Sequence, residues 1–244
     1  MAAFKGCEKL KTVIIPFVGT NRNDETTLFS TIYPTTATKI IITDEILLPE
    51  ETFVNYPIEA EVTLNEGIEH IPDRAFSSSY ITKVNLPKTL KSIGFEAFDS
   101  SNLAEVEIPD GVEEIGESAF YLTHIKTLKI PDSVMTLGAG AFSENSDLQE
   151  VILGKNLKTI PSYCFSDNNK LISIDIPDTI LNINDSAFEG CGLTTLILKE
   201  GLKTIGEDVF CYNKITELVI PNTVTDMGQG AFLNNPIKKV TCPS

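Results

Sequence analysis

The sequence predicts a solenoid of the α/β type, a strand-dominated, right-handed superhelix. Its concave side carries one parallel β-sheet of short strands; turns and short helices are expected on the convex side. Three observations predict this. Phenylalanine recurs at Phe76, Phe98, Phe120, Phe142, Phe165, Phe188, Phe210 and Phe232, with gaps of 22, 22, 22, 23, 23, 22 and 22 residues. Aliphatic residues keep fixed distances ahead of each phenylalanine. A proline closes most of the apolar segments. A fixed period of this length is the mark of stacked repeats, because one such unit cannot bury its apolar face alone.

Each repeat opens with a strand, as in Leu103-Ala104-Glu105-Val106-Glu107-Ile108-Pro109. Val106 and Ile108 are two residues apart and share the inward face, which leaves Glu105 and Glu107 outward. Proline has no N–H to give to a ladder and ends the strand at Pro87, Pro109, Pro131, Pro177 and Pro221. A second short extended piece follows, Val112 to Ile115 in this repeat, with apolar slots eight and five residues before the phenylalanine. A tight turn or short helix then leads into Ala119-Phe120. Stacked phenylalanines are expected to form a continuous interior column.

Four residues before the phenylalanine stand Gly94, Gly116, Gly138, Gly206 and Gly228, but Pro72 and Pro161 fill the same slot. Proline holds φ near −65°, so the slot does not require positive φ. The glycines are expected to permit close backbone approach between coils. The two added residues fall in 143–147 and 166–170, which are expected to be solvent-facing loop.

Composition narrows the function. Acidic residues number 34 and basic residues 19, a net charge of −15. Phosphate recognition needs clustered Lys and Arg, so nucleic acid is not an expected partner. Anionic membrane surfaces are disfavoured on the same ground. No apolar run approaches the ~18 residues that span a bilayer, and the N-terminus lacks a signal-peptide pattern. Cys7, Cys164, Cys191, Cys211 and Cys242 form no C-x-x-C pair and are expected to be buried thiols.

These residues resemble the BspA-like leucine-rich-repeat family, also called the Treponema pallidum-type repeat. The pattern is L-x-x-[IV]-x-[IL]-P-x-x-[VL]-x-x-I-G-x-x-A-F-x-x-C. Leu103 through Phe120 and seven equivalents match it, and Gly190-Cys191 follows Phe188 as the pattern asks. The chain is thus expected to be a single leucine-rich-repeat solenoid domain over 1–244. Residues 55–244 form regular 22–23-residue repeats. Residues 1–54 form divergent N-terminal repeats with an insert: Ala3 to Cys7 ends a repeat, Leu10 to Pro16 is a strand, and an irregular coil opens at Pro16-Phe17-Val18-Gly19. Ile40 to Ile42 is the next strand and Phe53 the next spine residue. No capping pattern is visible at either end, so a piece of a longer protein is expected, as is end-to-end self-association.

The resemblance implies a surface or secreted protein that binds a protein or glycan ligand in adhesion to host or matrix. It brings no catalytic residues and no cofactor or metal. The open alternative is a structural spacer that projects or assembles other domains.

Two outward columns line the concave sheet. One runs Thr12, Lys39, Glu61, Lys83, Glu105, Thr127, Glu150, Ser173, Thr195, Glu217, Lys239. Its neighbour runs Ile14, Ile41, Thr63, Asn85, Glu107, Lys129, Ile152, Asp175, Ile197, Val219, Thr241. Alternating charges at Glu61-Lys83-Glu105 and at Glu107 and Lys129 fit cross-strand pairing. Ile152, Ile197 and Val219 are apolar on a polar face and flank Asp175; with Glu150, Thr195 and Glu217 they form the expected binding patch. The two histidines differ in place: His70 belongs to an exposed polar column with Ser92 and Thr136, and His124 to a turn, so no shared metal or catalytic set is expected.

Overall fold

The computed structural model describes residues 4, 7–16, 18, 29, 36–45 and 47–242. The sequence-derived expectations for residues 1–3, Phe17 and the insert at 19–28 and 30–35 lie outside them. Among the described residues sixteen short strands, β1 to β16 in chain order, form two parallel stacks joined by turns.

The main stack begins with β1 (Thr12–Ile15), β2 (Lys39–Ile42), β3 (Ala60–Thr63) and β5 (Ile81–Asn85), in that order. Val13, Ile40, Val62 and Val84 are in register and buried, while Thr12, Lys39 and Glu61 face outward. A bridge from Lys83 to Glu105 continues the stack. Beyond it lie β8 (Thr127–Lys129) paired with β10 (Glu150–Ile152), bridges from Ile152 to Asp175 to Ile197, and β14 (Glu217–Val219) paired with β16 (Lys239–Thr241). Alternation with period two decides which side chains are buried, as the strand pattern requires.

The second extended piece of each repeat makes a stack of two-residue strands. β4 (His70–Ile71), β6 (Ser92–Ile93), β7 (Glu114–Ile115) and β9 (Thr136–Leu137) form one sheet. β11 (Thr159–Ile160), β12 (Asn182–Ile183), β13 (Thr204–Ile205) and β15 (Asp226–Met227) form another. The split between them coincides with the first 23-residue repeat. The widest ring separation in the spine, 5.7 Å between Phe142 and Phe165, falls at the same place.

The phenylalanine column is continuous. From Phe53 to Phe232 successive rings stack at 4.9 to 5.7 Å with interplanar angles of 3° to 15°. Phe29 extends it by one ring, tilted 39° on Phe53 at 4.8 Å, and is fully buried. Phe29 is not among the spine residues expected from the sequence, because it stands 24 residues before Phe53, outside the 22–23-residue frame. Phe4, expected to end an earlier repeat, is 38% exposed.

Among the described residues of the regular repeats, the short helices expected on the convex side are not found. The stretch into each phenylalanine there is a run of turns. The residues two before and two after the phenylalanine take positive φ: Ser118 at 52° and Leu122 at 50° around Phe120, Glu96 at 50° and Ser100 at 54° around Phe98. Left-handed residues at such intervals exclude a helix, which needs one right-handed conformation throughout. The donors that a helix would turn inward instead point to the next coil. Ser118, Phe120 and Leu122 donate N–H to the carbonyls of Ala139, Ala141 and Ser143 at 2.9, 2.8 and 3.0 Å. The convex side is therefore a third ladder of backbone bonds between coils.

The 143–147 and 166–170 segments are only partly solvent-facing. Asn145 and Asn168 are buried. Each turns its amide inward, Asn145 to the Phe120 carbonyl at 2.8 Å and Asn168 to the Phe142 and Phe165 carbonyls at 2.9 Å. Asn213 and Asn235 do the same for their coils, and the Cys191 thiol takes this place against the Phe165 carbonyl at 3.0 Å. Burial of a polar amide is tolerated here because it satisfies carbonyls that the turn leaves unpaired.

The cysteines correct the sequence expectation in part. Cys164, Cys191 and Cys211 are buried, but Cys7 and Cys242 are exposed. Burial raises the Cys164 thiol and lifts Cys191 to about 12, so neither supplies thiolate near neutral pH. Iodoacetamide at pH 8 is expected to modify Cys7 and Cys242 first, and Cys164 and Cys191 only after unfolding. Peptide mapping by mass spectrometry checks the order; native-state labelling of Cys164 at the rate of Cys242 would show that the core opens.

Candidate binding surface

The outward columns of the main stack line a hollow of about 1010 Å³. Lys83, Asn85, Glu105, Glu107, Lys129 and Ile152 are among its lining residues. Lys83 Nζ meets Glu105 Oε2 at 2.9 Å, which holds the Glu105 carboxyl below its ordinary range. Glu61 feels Lys83 only at longer range, and Glu107 and Lys129 form no ion pair, so one of the anticipated cross-strand charge pairs closes. Asn85 Nδ2 donates to Thr63 Oγ1 at 3.0 Å.

The apolar patch adjoins this hollow and shares Ile152 with it. Ile152 is 51% exposed, Ile197 69% and Val219 50%. Backbone bridges tie Ile152 to Asp175 and Asp175 to Ile197, so these three stand side by side on adjacent coils. Val219 occupies the next coil's equivalent position in β14. Glu150, Thr195 and Glu217 are exposed beside them in the neighbouring column. Asp175 is not free: Lys199 Nζ lies 2.5 Å from its Oδ1. The structure thus brings together all seven residues expected from the sequence.

Two participants are absent from that reading. Ile172, 57% exposed, precedes the outward Ser173. It replaces residues such as Ala104, Lys126 and Thr194, a substitution visible in the repeat alignment. Lys199 stands eleven residues before Phe210, where Pro87, Pro109, Pro131, Pro177 and Pro221 stand in other coils. Loss of that proline was the available signal for a polar role.

The histidines are exposed and separate. His70 Nδ1 contacts Ser92 Oγ at 2.8 Å; His124 Nδ1 lies 3.4 Å from Asp147, which Lys170 also pairs at 2.7 Å. Among the described residues no three His, Cys, Asp or Glu side chains converge on a point that could hold a metal ion. No helix among them is long and apolar enough to cross a membrane.

A family model described as the BspA type leucine rich repeat region matches six copies, over residues 1–80, 28–149 and 137–244. The chain belongs to this family. The fold agrees. A leucine-rich repeat protein from Bacteroides ovatus aligns with a TM-score of 0.73 at 20% identity, over 96% of this chain and 64% of that one. The chain thus spans just under two thirds of that protein's length. The leucine-rich repeat protein of T. pallidum aligns with a TM-score of 0.58 at 23% identity, over 63% of this chain and 76% of that one. One from Eubacterium ventriosum gives 0.53 at 16% identity, over 93% and 90%. No curated protein matches the sequence.

Proposed function

We propose that this leucine-rich-repeat chain is a non-catalytic recognition module of a surface or secreted protein, and that it holds a protein ligand against the main sheet. The observation that carries this is the group of exposed β-branched side chains, Ile152, Ile197 and Val219, on three of four successive coils beside the hollow, with Asp175 on the coil between the two isoleucines. Contiguous exposed apolar surface rimmed by polar groups favours macromolecular contact. Ordinary solvated strand faces alternate polar residues, as this sheet does at Glu61, Lys83 and Glu105.

The chemistry of the face favours protein over glycan. Sugar rings are commonly held by their C–H faces against aromatic rings. The chain has no Trp, and neither outward column of the main sheet contains an aromatic residue. The exposed rings of Tyr80, Tyr163 and Tyr212 lie elsewhere. A partner that lays aliphatic side chains on Ile152, Ile197 and Val219 and places polar groups over Glu150, Thr195 and Glu217 meets this surface better. The Asp175–Lys199 pair at the centre is exposed, so its desolvation would favour a partner that bonds to it over one that merely covers it.

The test is capture from matrix and cell-surface protein extracts, with the parent chain and an Ile152→Lys, Ile197→Lys, Val219→Lys variant as baits. All three positions are exposed, so the variant is expected to retain the parent's circular dichroism and melting temperature. A partner retained by the parent and lost by the variant supports the main-sheet reading. Equal capture moves the contact to another face. No capture by either bait turns the reading toward a spacer that only projects other domains.

A further inference from the structure

The net charge of −15 is unevenly distributed. On the convex turns, the six-residue stretches from three before to two after each spine phenylalanine, Phe76 to Phe232, hold ten carboxylates. The guanidinium of Arg74 is their one cation. That face therefore carries −9 of the −15. The main sheet, by contrast, alternates signs. Contacts between coils tie some of these carboxylates to neutral hydroxyl groups. Tyr121 Oη donates to Glu144 Oε1 at 2.7 Å from the coil before, and Ser77 Oγ lies 3.4 Å from Asp99. Burial, followed by the charges of Glu144 and Glu189, holds Asp167 above the usual carboxylate range; burial and then Glu96 act the same way on Asp99. Arg74 is already engaged by Glu96 at 2.7 Å. The row is left without its own counter-charge.

The face is also aromatic, and this is independent of its charge. Tyr163 and Tyr212 are 53% and 61% exposed, and Leu122 is 45% exposed. All three sit at left-handed positions, with φ of 59°, 55° and 50°. A groove of about 320 Å³ runs between Tyr121, Tyr163, Glu144 and Asp167. Large rings on exposed turns contribute little to the core and present π-faces to solvent. Tyrosine faces and carboxylates together suit guanidinium and ammonium groups, through cation–π contact and charge-assisted hydrogen bonds.

We infer that the convex turn face, with Tyr163 and Tyr212 among its carboxylates, is a second binding surface whose occupant is an extended Lys/Arg-rich polypeptide segment. A single divalent ion fits less well, because among the described residues no three acidic groups converge on one point. The charges are instead spaced along the coil axis, where spine rings repeat every 4.9 to 5.7 Å. Such a line is matched by a chain that delivers one cation after another. This surface is distinct from the main sheet and does not depend on the reading given above.

The test is fluorescence anisotropy with a labelled twelve-residue peptide of alternating arginine and glycine at ~0.15 M salt, where surface charges farther apart than ~8 Å are largely screened. Three variants separate the face from bulk charge. Glu117→Gln, Asp167→Asn, Glu189→Gln removes three carboxylates from the turn face. Glu105→Gln, Glu107→Gln, Glu150→Gln removes three from the main sheet. Tyr163→Ala, Tyr212→Ala leaves the charge unchanged. The turn-face variant is expected to bind at least about tenfold more weakly, the main-sheet variant within about twofold of the parent, and the tyrosine variant several-fold more weakly, by the usual scale of charge-assisted and cation–π contacts. Circular dichroism of each confirms the fold. Equal loss from the two charge variants, an unchanged turn-face variant, or no binding by the parent overturns the inference. Loss confined to the carboxylate variant, with the tyrosine variant at parental affinity, overturns the aromatic part of it.

Discussion

Replacing Phe142 with alanine is expected to destabilise the solenoid by roughly 3–5 kcal/mol, the range for a fully buried aromatic truncated in a packed core. Phe142 is 1% exposed, and its ring is sandwiched between Phe120 at 5.2 Å and Phe165 at 5.7 Å with near-parallel planes. Alanine there removes contacts on both sides. The cavity cannot close by collapse, because the coils above and below are pinned by backbone ladders on all three sides. Phe142 N–H donates to the Cys164 carbonyl at 2.9 Å, and Gly138 N–H to the Ile115 carbonyl at 2.8 Å. Phe232→Ala provides the contrast. That ring is only partly buried and stacks on Phe210 alone among the described residues, so its truncation is expected to cost clearly less. Urea denaturation of both variants measures the difference; equal midpoints would show that the column does not act as a chain of nearest-neighbour contacts.

The elements legible in the sequence are those whose side chains repeat with the coil. Val62, Val84 and Ile40 announce the inward strand face by period two, and the spine announces itself through an Ala-Phe pair in six of eight coils. The apolar patch was legible for the same reason: Ile152, Ile197 and Val219 follow the polar stretch Thr63, Asn85, Glu107 and Lys129 of their column. The turn conformation was not. Its left-handed positions are filled by Arg74, Glu96, Tyr163 and Asp208 as well as Gly140 and Gly230, so no residue type marks them. The backbone is held there by bonds to the next coil, a long-range cause that one repeat cannot display. Asn145 and Asn168 misled for a related reason. Their residue type suits exposed turns, and only the stacked geometry supplies the carbonyls that draw them inward. Phe29 escaped because 24 residues separate it from Phe53, outside the 22–23-residue frame.

Gly138→Ala is expected to be the costliest single-methyl addition among the glycines of the repeats, at about 3 kcal/mol, the upper part of the overpacking range. Its backbone does not need glycine's freedom, since Pro72 and Pro161 occupy the equivalent slot, and in a neutral site Gly→Ala stabilises by about 0.4–1 kcal/mol through the unfolded chain. The cost is steric and lies between coils. A Cβ on Gly138 would stand 2.1 Å from the Glu117 nitrogen and 2.4 Å from its Cα. Both are backbone atoms of the preceding coil, so no side-chain rotation relieves the clash. The coils must part, which strains the Gly138-to-Ile115 bond and lengthens the Phe120–Phe142 stack. Gly140 isolates the cause. It has φ of +61° but no clash, since a Cβ there would meet its nearest atoms, the Ser118 and Ser143 hydroxyls, at 3.5 Å, an ordinary contact distance. Its equivalents in other coils are Ser118, Ser186 and Asp208, all left-handed. Gly140→Asn is therefore expected to cost well under 1 kcal/mol, asparagine being among the residues that tolerate this region best. Parallel urea melts decide it. A large loss at position 138 with a small one at 140 assigns the glycine slot to close approach of coils, whereas the reverse order would assign it to backbone conformation.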